Sequence, residues 1–476
     1  MKRLAWKLTL LLSALTFTGC AQNPVSGRQD FVMMSEAQEI ALGRQSDVEV
    51  RKQYRVYDDP ALQAYVNRVG QAVAIHSHRP QLTYHFTVVD SPEINAFALP
   101  GGYIYITRGI MAYLNSEAEL AAVLGHEIGH VTARHGVRQQ SAAQATGLGI
   151  TLASIFVPEL ASQAGQDMAN LLGGALLAGY GREHELESDR LGAQYLARSG
   201  YDPQAMIRVI GTLKNQELFD AEIARQEGRE PRRYHGTFAT HPDNDTRLQQ
   251  VVGEAAQLKV ETANEGREEY LKQIAHLVFN DSVEEGVVRG NRFLHKDLGI
   301  ALDFPPQWSI KNSSTQLLAL NPAGDTLLEL KVDAKPVGTV VEYARRIVGN
   351  AATVESLQIG QRPAAIASHN ALMLGVIYHE GKAFLLLGRA KSPQALAAQR
   401  NALLDSIKSF RPLSAAERAA IRPLRLQLRI VQKGDTWNKL AQESPLGRNA
   451  ERYLRLINGQ YPQGEPLAGQ TIKIVE

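Results

Sequence analysis

Between residues 35 and 75 apolar side chains recur at helical spacing, as at Leu42 and at Tyr65, Val66, Val69 and Val73, which predicts amphipathic helix. The period changes near Leu82. Tyr84 to Val89 alternates, and Ile94 to Thr107 (INAFALPGGYIYIT) sets Tyr103 and Tyr105 on one face and Ile104 and Ile106 on the other, around a Pro-Gly-Gly turn. Both stretches read as strands. Ser116 with Glu119 three residues on makes a capping box, and Leu120, Val123, Leu124, Ile128 and Val131 then keep helical spacing up to Gly136, a helix of about twenty residues. Residues 140 to 180 are rich in Ala, Gly and Leu but carry Pro158, Gln163, Gln166 and Asp167. They predict one or two helices packed over the candidate site, with no run long enough to span a membrane. A third helix is expected from Gly181 to Ser199, ended by Gly200 with Asp202-Pro203 beyond it.

From 205 to 280 the pattern is helical, with a basic loop near Arg229 to Tyr234, and closes a first domain. Strand-like runs then follow (GIALDF, TLLELKVD, ALMLGVIY, AFLLLGRA), with a turn at Glu380-Gly381 and a final Ala- and Leu-rich helix. These predict a small α+β domain over 290–413, weakly similar to a PsbP- or Mog1-like fold. After a charged linker, Ser414 to Arg425, the last fifty residues predict strand, helix, helix, strand, with turns at Gly434-Asp435 and Asn458-Gly459. The order, together with KGDTW, INGQ and LAGQTIKI, resembles a LysM module over 426–476. That resemblance implies binding of N-acetylglucosamine-containing glycans; the alternative is a divergent copy that only packs against its neighbour.

A chain of 476 residues is too long for one core, so several domains are expected. Residues 1–19 read as a targeting segment: Lys2, Arg3 and Lys7 precede the short apolar stretch Leu8 to Leu15. Removing it takes Lys+Arg from 51 to 48 against 49 acidic residues, so the processed chain is about neutral. With no long charged run, composition gives no nucleic-acid footprint. The single cysteine, Cys20, follows Phe17-Thr18-Gly19 and resembles the lipidated residue of a bacterial lipoprotein; Ala21 after it points by the same resemblance to the outer membrane of a Gram-negative cell. Residues 20–34 would then be a lipid-anchored linker. One cysteine permits no intramolecular disulfide.

The segment His126-Glu127-Ile128-Gly129-His130 places two imidazoles one helical turn apart, able to bind one zinc ion, with Glu127 beside them as general base and not as ligand. Zinc needs a third protein ligand and an open position. A metzincin would have glycine and histidine three and six residues after His130, where this chain has Ala133 and Gly136. His135 is one residue short, and with Arg134 it reads as a cationic pair suited to a helix C-terminus. On the third helix (REHELESDRL), Glu185 and Asp189 are i and i+4, so one can bind zinc while the other accepts a proton from a ligating imidazole. Glu183 and Glu187 form a separate pair turned away.

INAFALPGG, HEIGHVTARHG, REHELESD and THPDNDTRL together resemble the metallopeptidase family that includes HtpX, BepA and the CAAX prenyl proteases, with Ser188 where that pattern usually has alanine. The resemblance implies one Zn2+ per chain held by His126, His130 and Glu185, with Asp189 behind the ligands. It also implies that Asn95, Ala96, Phe97 and Ala98 form an edge strand pairing with a peptide substrate. His241 and Arg247, and less strongly Tyr180, are candidate donors to the oxyanion. His241 is also a candidate latch for the fourth metal position, and the 140–180 stretch a candidate lid over the cleft. The expected fold is an α+β multidomain chain: a mainly helical gluzincin domain over 35–280 with a small sheet, then the α+β domain, then the βααβ module. The expected activity is zinc-dependent endopeptidase action on unfolded or damaged envelope proteins, in the periplasm, with an outer-membrane lipid anchor and a peptidoglycan contact through the C-terminal module. The alternatives are a non-proteolytic assembly or peptidoglycan-binding factor, or cleavage of peptidoglycan itself.

Overall fold

A computed structural model describes residues 20–145, 181–227, 244–258, 260–312 and 317–476. They form two compact units. The first comprises the described residues within Met1–Leu218, Arg233–Leu277 and Arg425–Glu476, the second those within Phe219–Arg232 and Val278–Leu424. Among the described residues no helix is long and apolar enough to cross a membrane.

In the first unit, α1 (Glu36–Gln53) begins at Ser35, whose hydroxyl accepts from the Gln38 N–H while the Gln38 side chain returns to the Ser35 N–H. Helix α2 (Pro60–Ala74) begins at the Asp59 cap with proline in its first turn, where a missing N–H costs nothing. Three strands follow: β1 (His85–Val89), β2 (Ala96–Leu99) and β3 (Tyr103–Thr107). Their order is β1-β3-β2, with β1 parallel and β2 antiparallel to β3. Tyr105 packs with Phe97, Leu99 and Val89 against Val50 of α1. The Pro100-Gly101-Gly102 turn needs its glycines, since Gly101 and Gly102 have φ of 76° and 91°.

Helix α3 (Arg108–Tyr113) leads into α4 (Glu117–Thr132), in which every residue is buried. Only half of the expected capping box forms. The Ser116 hydroxyl accepts from the Glu119 N–H, but the Glu119 carboxylate turns back to the N–H of Asn115 rather than Ser116. The other end also departs from expectation: α4 stops at Thr132, Arg134 adopts φ 57°, and a new helix, α5 (His135–Ala145), starts there.

A buried ion cluster accounts for the break. Arg79 donates to Glu39 and to the Val131 carbonyl at the end of α4, while Arg134 donates to the other Glu39 oxygen and to the Met34 carbonyl. Holding a non-glycine residue in the left-handed region costs about 1–3 kcal/mol, which these charge-assisted bonds offset. Replacing Glu39 with alanine would leave two buried guanidinium groups without their shared anion. We expect a loss of about 3–5 kcal/mol of stability, measured by urea unfolding; a change below about 1 kcal/mol would refute a central role for the cluster.

Beyond lie α6 (Arg182–Arg198), α7 (Ala205–Glu227), α8 (Asn244–Ala255) and α9 (Arg267–Gln273). Helix α6 runs as expected into Gly200, which takes φ 79°. The basic loop expected at Arg229–Tyr234 lies outside the described residues. At the C-terminus, strands Leu424–Ile430 and Thr471–Val475 pair antiparallel around helices Trp437–Glu443 and Ala450–Ile457, the βααβ order expected. This segment packs within the first unit. Lys473 is fully buried and donates from Nζ to the carbonyls of Ala112 and Leu114, at the C-terminal end of α3.

The second unit carries a seven-stranded antiparallel sheet. Its order is Ser309–Asn312, Leu317–Leu320, Thr326–Asp333, Lys382–Ala390, Leu372–His379, Arg362–His369 and Thr353–Ile359. Helix Val340–Val348 covers Ala365, Ala367, Leu374 and Val376 on one face, and helix Pro393–Lys408 covers Ala364, Met373, Ile377 and Phe384 on the other. With both faces covered, the central strands read as unbroken apolar runs. Positive φ at Glu380 (48°) and Gly381 (74°) forms the hairpin turn read from that dipeptide.

Candidate metal centre

Small residues bring α4 and α6 into close crossing. A Cβ added to Gly129 would lie 3.0 Å from the Ser188 Cα, and one added to Gly192 would lie 3.0 Å from the His126 backbone nitrogen. Ser188 is fully buried at this contact, so it, like the alanine of the family pattern, meets the demand for a small side chain. The crossing sets Glu185 against the two imidazoles of α4. Its carboxylate oxygens lie 3.5 Å from His126 Nε2 and 3.4 Å from His130 Nε2, and the two Nε2 atoms are 3.0 Å apart. Tetrahedral nitrogen and oxygen ligands at about 2.0–2.2 Å from zinc stand about 3.3–3.5 Å from one another. The triangle therefore suits one such ion, with a slight opening of the histidine pair. Among the described residues this is the cluster of metal-ligating side chains that can hold a cation, and all three members are buried. Glu127, next to His126 on α4, is buried as well.

Each imidazole is held from behind. His126 Nδ1 is 2.8 Å from the Asp189 carboxylate. That carboxylate also receives Arg247 of α8 as a two-toothed fork, Nε and Nη2 each at 2.7 Å. Burial alone would raise the Asp189 pKa, but Arg247 and His126 hold it far below the ordinary carboxylate range. Burial pulls His126 down, yet its bonds to Asp189 and Glu185 win and carry it to about 9. A cation entering the site therefore displaces a proton.

His130 Nδ1 meets His135 Nδ1 at 2.9 Å, and His135 Nε2 meets Glu187 at 3.0 Å. Two expectations change here. His135 is no cationic cap: it is fully buried, and burial lowers its pKa, so it is neutral at pH 7. Nor is Glu187 turned away, because the break at Arg134 carries His135 to the flank of α6 on which Glu187 stands. His184 stacks on His135 with ring centroids 4.2 Å apart, and burial lowers its own pKa to about 3. Glu183 stays exposed. Helical spacing could not reveal this contact, since His135 stands five positions after His130 across a non-helical residue.

Arg247, expected to face an oxyanion, has its fork on Asp189, with Nη1 3.5 Å from Glu185. His241 and Tyr180 lie outside the described residues, as does most of the 140–180 stretch expected to cover the site. Asn95 exchanges both backbone bonds with Thr107, its N–H reaching the Thr107 hydroxyl and its carbonyl the Thr107 N–H. Alternation then turns the N–H and C=O of Ala96 and Ala98 toward the outer side of β2. Among the described residues that side is a sheet edge. A small recess bordered by Ala98, Leu99, His130, Val131 and Arg134 joins this edge to the imidazole cluster.

Two histidines one turn apart on one helix, a glutamate on a crossing helix and a carboxylate behind the first imidazole form the ligand pattern of the metallopeptidases that the sequence resembles. Residues 60–255 match the model of Peptidase family M48. Among curated relatives, the "Beta-barrel assembly-enhancing protease" of Escherichia coli (strain K12) is 34% identical over 249 residues, covering 50% of this chain and 48% of the relative. The "Putative beta-barrel assembly-enhancing protease" of Vibrio cholerae is 32% identical over 212 residues, covering 42% and 43%. The "Mitochondrial metalloendopeptidase OMA1" of Arabidopsis thaliana is 32% identical over 181 residues, covering 37% and 36%. The chain thus spans about half the length, or less, of these relatives.

Proposed function

We propose that the protein is a zinc-dependent endopeptidase of the bacterial cell envelope that cuts unfolded or damaged envelope proteins. The observation that carries this reading is the convergence of His126, His130 and Glu185 beside Glu127. Zinc held by these three would supply Lewis acidity and lower the pKa of a bound water. Glu127 would act as general base, taking a proton from the attacking water and returning it to the leaving amine. Asp189 and Arg247 fix His126 and do not touch the substrate. The outer side of Asn95–Ala98 takes an extended peptide as an added strand, which favours chains that have lost their fold. His241 and, less strongly, Tyr180 are the remaining candidate donors to the oxyanion.

In this reading residues 1–19 are a lipoprotein signal, Cys20 is the lipidated residue at the outer membrane and 20–34 are the linker. The peptidase domain spans 35–280, a PsbP- or Mog1-like domain spans 290–413, and the LysM-like module at 426–476 contacts peptidoglycan. Casein and purified sacculi, incubated side by side with the full chain and with or without a zinc chelator, test the activity. Chelator-sensitive casein cleavage is expected. Intact casein would favour the assembly-factor reading, and cleaved sacculi a peptidoglycan hydrolase. For the anchor, Cys20→Ser should no longer fractionate with membranes, since a single acylated residue is the membrane signal left after processing; unchanged fractionation would refute it.

A further inference from the structure

The two imidazoles are backed differently. Behind His126 stands the carboxylate of Asp189, but behind His130 stands another imidazole, His135, and only then the carboxylate of Glu187. A separation of 2.9 Å between His130 Nδ1 and His135 Nδ1 is a hydrogen bond when one nitrogen carries a proton and the other a lone pair. His130 can offer Nε2 to a cation only with its own proton on Nδ1. The Nδ1 of His135 must then accept, and the remaining proton of His135 sits on Nε2, facing Glu187 at 3.0 Å. Donors and acceptors run one way, from His130 through His135 to Glu187. The reverse arrangement would move the His130 proton onto Nε2, covering the lone pair a metal needs, and would set an unprotonated His135 Nε2 against a carboxylate. Glu187 thus disfavours the reverse direction. The pair is held rigidly: His135 is fully buried and stacked on His184, and Arg138 lies 3.5 Å from the Glu187 carboxylate.

We propose that His135 and Glu187 are positioning residues that lock His130 in its Nδ1–H tautomer and so set the metal affinity of the site. This rests on the reading of His130 as a zinc ligand.

Zinc affinity of the full chain, measured by competition with a chromophoric chelator, tests it. His135→Leu should weaken zinc binding about 10–100-fold, as loss of a partner behind a ligand does. His135→Asn, whose amide oxygen can still accept from His130 Nδ1, should recover most of that loss. Affinity in His135→Leu equal to that of the unaltered protein would overturn the proposal, and so would an Asn variant no better than Leu, which would mark a packing role. His130→Ala, run alongside, separates the two levels: zinc retained there refutes the ligand reading itself, whereas zinc lost there but kept in His135→Leu refutes only the positioning. Independently of any variant, nitrogen-15 correlation spectra of the zinc-loaded protein should show His135 protonated on Nε2 and bare on Nδ1. A proton on His135 Nδ1 would overturn the proposal.

Discussion

Replacing Glu127 with glutamine is expected to leave zinc bound and to lower casein hydrolysis by about 10²–10⁴-fold, the range for a positioned general base. The charge at stake belongs to a group outside the ligand triangle, because the atoms that converge on one point are those of His126, His130 and Glu185. Glutamine keeps the volume of this buried side chain, so the close α4–α6 crossing at Gly129 and Ser188 is undisturbed. Hydrolysis at the unaltered rate would remove Glu127 from the mechanism. Loss of zinc would make it part of the metal site.

Glu185→Ala should act on the other side of that distinction. It removes the donor that stands 3.4–3.5 Å from both Nε2 atoms, so zinc content should fall below the level seen when only a supporting group is lost, itself about 10–100-fold in affinity. The exposed Glu183, changed in the same way, should leave zinc content unaltered. Asp189→Ala should fall between the two, since His126 keeps its metal-facing nitrogen but loses the carboxylate that orients its ring, and Arg247 is left buried without its main anion. Atomic absorption on dialysed protein distinguishes these cases. Equal zinc loss from Glu183→Ala would place the third ligand on the wrong flank of α6.

Much of the centre was legible because it obeys local rules. His126 and His130 share a face by helical spacing, and Glu185 and Asp189 do so again on a second helix; both pairs face each other in the structure. The hairpin at Glu380-Gly381 and the paired turns of the C-terminal module were written in residues that tolerate positive φ. What escaped the sequence depends on contacts made at a distance. The end of α4 is not legible, because Leu120 to Val131 carries no stop signal; Arg134 leaves the helix under the pull of Glu39, 95 residues away. Helical spacing alone therefore makes His135 a cationic helix-end group and turns Glu187 away, whereas the break brings them together behind His130. Arg247 offered a cation near the site but no hint that Asp189 would claim it. The apolar runs of the second unit gave strands, yet their seven-membered order follows from which strands pair, not from any one of them.

Whether one zinc ion is held by α4 and α6 can be decided by anomalous diffraction at the zinc edge from crystals of the metal-loaded full chain. A single strong peak is expected within about 2.2 Å of His126 Nε2, His130 Nε2 and a Glu185 carboxylate oxygen. A peak at other residues, or a peak that omits Glu185, would contradict it.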